Sequence, residues 1–372
     1  MSDMNEQDMF CESLARVLAD HTPAMHKPGG APLLWKALAE AQFPRALAAE
    51  AAGGSGVGWA EAFSLFALIG EKAVPLPLAE SMVAHWLLGT AGVQAGGGLL
   101  SLAAVRVPLE LTTTQGRLCL SGVLPRVPWG RESASIATVA LQDGQPRLVV
   151  IDCQGLGIKL EHGQDIAGEP RDSLVLEAVT PSACVPTHLS PLDLMAIAAV
   201  VRAAQMAGGL RAILADAVDY ANLRKQFGRS LSQFQAIQHQ LATLATQTAA
   251  ALAAAEAGLE AIDTLLAGTP VGGVIADSLE AATAKIRAGE AAGLGAAIAH
   301  QVFGAIGFTE EHSLHLHTRR LWTWRDEYGN EAFWSQRLGE AFIAAGPRQV
   351  WPRVTARAGS GQAVLAPAGR PA

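Results

Sequence analysis

Between Tyr220 and His239 the chain reads Tyr-Ala-Asn-Leu-Arg-Lys-Gln-Phe-Gly-Arg-Ser-Leu-Ser-Gln-Phe-Gln-Ala-Ile-Gln-His. This order predicts a helix ended at Gly228, a short loop, and a second helix capped near Ser230 or Ser232. Such a joint offers a guanidinium, a stackable ring and free backbone donors, which are what a pyrophosphate with an attached nucleotide requires. The same residues also suit a helix C-terminus whose cations match the dipole. On residue types alone both readings stand. Two other constellations carry less. Gly54-x-Gly56-x-Gly58 has dinucleotide-fingerprint spacing, but that fingerprint needs a strand before the turn, and here a helix precedes it, so a helix-to-helix connection is expected. His312, His315 and His317 beside Glu310 and Glu311 have metal-like composition, yet their spacing matches no established ligand set, so a polar helix face and no metal is expected.

Stepping outward to the elements that must hold this joint, residues 8 to 95 show apolar positions at helical spacing, interrupted at Pro32, Pro44, the Gly53–Gly56 cluster, Pro75 and Pro77. From about 99 to 187 the texture changes to short Val, Leu, Ile and Thr runs between turn residues, which predicts a β unit. Beyond Pro191 long helices are expected over 191–223, 231–266, 274–304, 311–325 and 331–345. The resulting fold class is α+β and mainly α. It comprises an N-terminal helical domain (1–98), a small middle β domain (99–188), a C-terminal four-helix bundle (189–350) and a loose tail (351–372). With 372 residues, half of them hydrophobic and 16% charged, there is ample material for a large core. The net charge of -7, without a basic stripe, argues against nucleic acid and points to a small-molecule partner. Four scattered cysteines form no CxxC pair, and the polar, acidic start lacks a secretory signal pattern, so a reducing cytoplasm is expected. No run of about 18 uninterrupted apolar residues occurs, so no membrane span is expected.

The Tyr220–His239 stretch resembles the RxxFG motif of the acyl-CoA dehydrogenase family, followed by that family's FQ and H-x-L-A pattern at Phe234-Gln235 and His239-Gln240-Leu241-Ala242. Further similarity runs through roughly residues 10 to 345. Glu50 to Gly56 resembles the PExxGGxG turn, and Gly70-Glu71 with Pro75-Leu76-Pro77 resembles the next connection. His300 to Phe308 resembles the Q-x-x-GGxG segment, with Arg319-Arg320 in place of its following arginine. The resemblance implies that Arg224, Phe227, Gln301 and Gly304, with Ala305 replacing the second glycine and Gln235 at another cofactor-side position, touch the adenine-dinucleotide half of an FAD that belongs mainly to a neighbouring subunit. It implies an acyl-CoA substrate, an oligomer, and electron transfer to an electron-transfer flavoprotein.

The family reaction needs a carboxylate facing the flavin, with a pKa raised by burial, to take the α-proton of the thioester. The usual position falls on Tyr328, with Glu327 the nearest carboxylate; the alternative position, on the helix before RxxFG, falls near Ala198, with Arg202 the nearest ionisable group. The family's acid-and-glycine loop over the flavin is not found. The strand that normally presents a tryptophan and a threonine reads Arg126-Val127-Pro128-Trp129, and proline has no amide hydrogen to offer. These departures resemble the smaller subunits of α2β2 acyl-CoA dehydrogenases, some of which act on bulky acyl chains such as steroid side chains. Three readings follow: a flavin-binding subunit whose partner supplies the base, a self-sufficient enzyme using Glu327, and a non-catalytic scaffold that has lost the flavin.

Overall fold

The computed structural model describes residues 6–22, 24–114, 116–268 and 275–356. The chain begins with four helices, α1 (Glu6–His21), α2 (Gly30–Glu40), α3 (Trp59–Glu71) and α4 (Leu78–Thr90). Eight strands follow: β1 (Leu100–Ala103), β2 (Glu110–Thr114), β3 (Arg117–Pro128), β4 (Ser135–Gln142), β5 (Gln145–Asp152), β6 (Ile158–Glu161), β7 (Arg171–Val179) and β8 (Ala183–Pro186). They make one sheet in the order β6-β7-β3-β2-β4-β5-β8, with β1 pairing in parallel with β4. Then come α5 (Pro191–Leu223), the two-residue strands β9 (Lys225–Gln226) and β10 (Arg229–Ser230), α6 (Gln235–Gly268), α7 (Leu279–Phe303), α8 (Leu314–Asp326), α9 (Glu331–Ala345) and α10 (Pro347–Thr355). The mainly α architecture with one β unit is the one expected. The last helix, α10, begins within the expected bundle and runs into the stretch expected as loose tail; Pro347 at its first turn has the φ a helix start requires. The remainder of that tail, and the expected start of α7 at 274, lie outside the described residues.

Two compact units divide the chain. The first contains Met1–Ala62, Pro75–Ala198 and Leu265–Ala276. Its sheet is held by apolar side chains from successive strands, among them Leu111, Leu120, Leu124, Ile136, Val149 and Leu174, all buried. Asp172 at the start of β7 is fully buried and accepts from the Arg131 guanidinium, from the Arg131 amide at 2.8 Å and from the Gly163 amide at 3.0 Å. That carboxylate ties the turn after β3 to β7. Trp129, in the segment that departs from the family's tryptophan-and-threonine strand, is buried beneath Arg171, whose guanidinium lies 5.1 Å from the ring. Helix α5 starts at a reciprocal cap, in which the Ser190 amide donates to the Asp193 carboxylate and the Asp193 amide donates to the Ser190 hydroxyl, both at 3.0 Å.

The second unit contains Phe63–Val74, Ala199–Thr264 and Asp277–Ala372. Here α5, α6 and α7 pack through small residues: Gly258 of α6 meets Val200 and Ala284, and Gly295 of α7 meets Leu210 and Leu244. The end of α3 touches α5 backbone to backbone. A Cβ on Gly208 would lie 1.8 Å from the Ala67 carbonyl oxygen, and one on Gly70 would lie 1.9 Å from that of Gln205, so only glycine permits this contact. Helices α5 and α7 are long and apolar enough to cross a membrane by composition, but the apolar stretch of α5 is 83% buried inside the protein, as in the core helix of a globular fold.

Candidate functional site

The joint after α5 is built differently from the expectation. The helix ends at Leu223, as the expected span 191–223 has it and not at Gly228 as the motif's reading has it, and Lys225-Gln226 pairs antiparallel with Arg229-Ser230. The two residues between, Phe227 (φ 51) and Gly228 (φ 80), both lie in the left-handed region, as a two-residue hairpin turn of right-handed twist demands. Ser230 gives no side-chain cap; Leu231–Gln233 is a 3-10 turn, Phe234 is extended, and α6 therefore starts at Gln235 rather than 231. The turn carries Phe227 outward, 93% exposed, with its ring edge-on to Phe234 at 6.3 Å, while Arg229 covers Phe234 at 4.1 Å. Glycine is the residue that tolerates positive φ, and phenylalanine does so at a cost. An exposed aromatic in this conformation spends backbone strain on holding a ring in solvent.

The second motif sits beside it. Tyr220, in the last turn of α5, packs on Phe303 at the end of α7 with ring centroids 4.5 Å apart, which brings Arg224 and Phe227 to the same end of the bundle as Gln301, Gly304 and Ala305. Gly304 ends α7 with φ 62 and ψ -140, a backbone state that an L side chain rarely adopts, and a Cβ there would meet nothing within 4 Å. Ala305, in place of the family's second glycine, lies outside the left-handed region, so its methyl adds no backbone strain. His300 stacks between Phe308 (4.5 Å) and Trp322 (5.6 Å) with Nε2 3.2 Å from the Thr318 hydroxyl; burial lowers its pKa. His312 lies before α8, which begins at Leu314 rather than 311; its Nδ1 accepts from the Leu314 amide and its ring rests on Phe303. Arg224, Phe227, Gln235, Gln301, Gly304 and Ala305 are all exposed.

Glu327 is elsewhere. It follows α8 directly, and its carboxylate lies 2.7 Å from the Arg202 guanidinium, with side chains only 8% and 3% exposed. Arg202 stands over the rings of Trp324 (5.2 Å) and Tyr328 (5.5 Å) and donates to Gln205. Tyr328 has φ 56, and the loop it belongs to is clamped by Lys285 of α7, which is fully buried and donates to the Arg325 and Gly329 carbonyls at 2.6 and 2.7 Å. Trp334 adds a third clamp, donating to the Tyr328 carbonyl at 3.0 Å. Sequence reasoning missed Lys285; its only signal is a lysine among the Ala and Gly residues of α7, two positions before Arg287. Arg202 and Tyr220 share one helix, so at 1.5 Å per residue the Glu327 cluster lies about 27 Å along α5 from the exposed motif end.

The model of the acyl-CoA dehydrogenase C-terminal domain matches residues 192–330, the stretch that includes both clusters. The chain is 28% identical over 339 residues to acyl-CoA dehydrogenase IpdE2 of Mycobacterium tuberculosis, covering 86% of this chain and 92% of that protein. Among solved structures, a Tcur3481-Tcur3483 steroid ACAD has the same fold with a TM-score of 0.79 and 24% identity, over 90% of this chain and 96% of the other. The ChsE4-ChsE5 complex of Mycobacterium tuberculosis gives 0.77 and 20%, over 92% and 99%. The match runs through the helices that present both exposed motifs, so residues 192–330 form an acyl-CoA dehydrogenase C-terminal domain, and the chain is similar over most of its length to acyl-CoA dehydrogenases, flavin-dependent oxidoreductases acting on acyl-CoA thioesters.

Proposed function

We propose that the chain is the smaller subunit of a hetero-oligomeric acyl-CoA dehydrogenase, desaturating a bulky acyl-CoA thioester together with a homologous partner that supplies the catalytic base. Arg224, Phe227, Gln235, Gln301, Gly304 and Ala305 would hold the adenine-dinucleotide half of an FAD bound mainly by that partner. The fit rests on this chain's own geometry. All six are exposed at one end of the bundle, Phe227 is held outward against its backbone preference, and the face of Gly304 is open. When bound, FAD supplies the hydride acceptor. A guanidinium and an aromatic ring suit a pyrophosphate and a flat base, respectively.

The observation that carries the partner requirement is the Arg202–Glu327 pair. A base must be able to take up a proton, and a guanidinium 2.7 Å away favours the carboxylate anion over the acid. Tyr328 occupies the family's usual base position, and a phenol does not serve as the carboxylate base. The α-proton is then removed by a carboxylate of the partner. The bulky substrate is supported by the resemblance to subunits of that kind and by the steroid ACAD among the fold neighbours. In the reconstituted oligomer, Glu327→Gln, which can still accept from Arg202, should leave turnover per flavin within a few-fold of wild type. A loss of several hundred-fold with flavin still bound would make Glu327 the base and remove the partner requirement.

A further inference from the structure

The first unit contains a cavity of about 370 Å³ that the family chemistry above does not use. Helix α2, the turn at Phe43–Arg45, helix α4 and the loop leading to β1 surround it, supplying Trp35, Gln42, Arg45, His85 and the run Gly96-Gly97-Gly98. None of the lining residues is acidic. The Arg45 guanidinium has no carboxylate partner among the described residues. His85 donates from Nδ1 to the Ser81 carbonyl at 2.8 Å, which fixes the ring and leaves Nε2 as its remaining polar atom. A guanidinium and an imidazole thus share one cavity. Burial lowers the pKa of His85, and the charge of Arg45 lowers it further. In the same lining, the amides of Gly96, Gly97 and Gly98 donate to no group among the described residues, and a Cβ at Gly96 or Gly97 would meet nothing within 4 Å. Gln42 at the rim sits at φ 62, a strained conformation for a non-glycine residue.

An arginine with no carboxylate partner among the described residues, a neighbouring imidazole, and consecutive amides that donate to no group there call for an anion with several acceptor oxygens. The indole of Trp35 adds a flat apolar wall. A volume of about 370 Å³ lies in the range of small-ligand sites, about 300–1,000 Å³, near the lower end. We propose that this cavity binds a nucleotide-type ligand, with a flat ring on Trp35 and its phosphate against Arg45, His85 and the Gly96–Gly98 amides. The same chemistry is offered by a free nucleotide and by the adenosine diphosphate end of a CoA thioester.

The test is calorimetric titration of the full chain with ADP, CoA, adenosine and inorganic phosphate. Arg224→Ala serves as background, to silence nucleotide binding at the Arg224 motif. ADP is expected to bind saturably and adenosine at least tenfold more weakly. Arg45→Met and, independently, His85→Asn should each weaken ADP by at least tenfold, while Trp35→Phe retains it. Competition of CoA with ADP for the Arg45-dependent site assigns the ligand to the CoA end, and binding of ADP alone assigns it to a free nucleotide. ADP binding that is unaffected by Arg45→Met and His85→Asn in variants that melt like wild type, adenosine binding as tight as ADP, or no binding would each overturn the proposal.

Discussion

Replacing Lys285 with methionine keeps the length of the side chain and removes its donors. Two carbonyls, those of Arg325 and Gly329, then lose the partner that reaches them at 2.6 and 2.7 Å. An unsatisfied buried acceptor costs about 1–3 kcal/mol, so the pair should cost roughly 2–6 kcal/mol. The effect carries a pH signature. Burial pushes the lysine from its usual 10.5 down to about 7, with Arg202 adding to the push and Glu331, Glu327 and Asp326 opposing it. Between those two values the unfolded chain holds a proton that the folded chain has released, so wild-type stability rises with pH across the window. The methionine variant lacks that rise, and the neutral amine of the wild type still has two N–H groups for the two carbonyls. The deficit of Lys285→Met should therefore widen as pH increases from 7 toward 10, because every other titrating group cancels in the difference. Urea unfolding followed by tryptophan fluorescence at several pH values measures it. A variant as stable as wild type, or a deficit that stays constant or shrinks with pH, would refute the reasoning.

Arg202→Met should cost about 3–5 kcal/mol by leaving the Glu327 carboxylate buried without its cation, and adding Glu327→Gln should recover part of the loss; scanning calorimetry on the three variants checks both signs. Phe227→Asn gives the hairpin a turn residue suited to positive φ, so the chain should gain up to about 1 kcal/mol while the assembled oligomer retains less flavin, measured by thermal melting and absorbance. Burial pushes the Asp172 carboxyl up, but hydrogen bonds from Arg131 and Gly163 and the Arg131 charge outweigh it and hold the pKa below the usual 3.8. Its contribution is complete above that value and is lost as pH falls through the folded one, so Asp172→Asn should flatten the acid limb of the stability curve.

The order of helices, sheet and helices was legible because its signals are local. Pro191 marks the start of α5, and short Val, Leu, Ile and Thr runs between turn residues mark the strands. The hairpin at Phe227-Gly228 was not legible, since phenylalanine stands before Gly228 where Asn, Asp or Gly is expected and has no preference for the left-handed conformation. Helix α10 was hidden by the Ala-, Gly- and Pro-rich composition around it, which reads as tail although Pro347 suits a first helical turn. The motif residues of the site could be named one by one from the resemblance to the family's motifs. Their common exposure could not, nor could the union of Arg202 with Glu327 or of Lys285 with the Arg325 and Gly329 carbonyls, because these contacts join distant segments through tertiary packing. The cavity at Trp35, Arg45 and His85 was invisible for the same reason.

The central claim is that the exposed end of the bundle, Arg224 and Phe227 with Gln301 and Gly304, completes the flavin site of another subunit. Flavin content per protomer, measured by absorbance on the co-purified oligomer carrying Arg224→Ala and Phe227→Ala in this chain alone, tests it most directly. The account predicts an intact oligomer that has lost most of its FAD, whereas full flavin occupancy in that variant would contradict it.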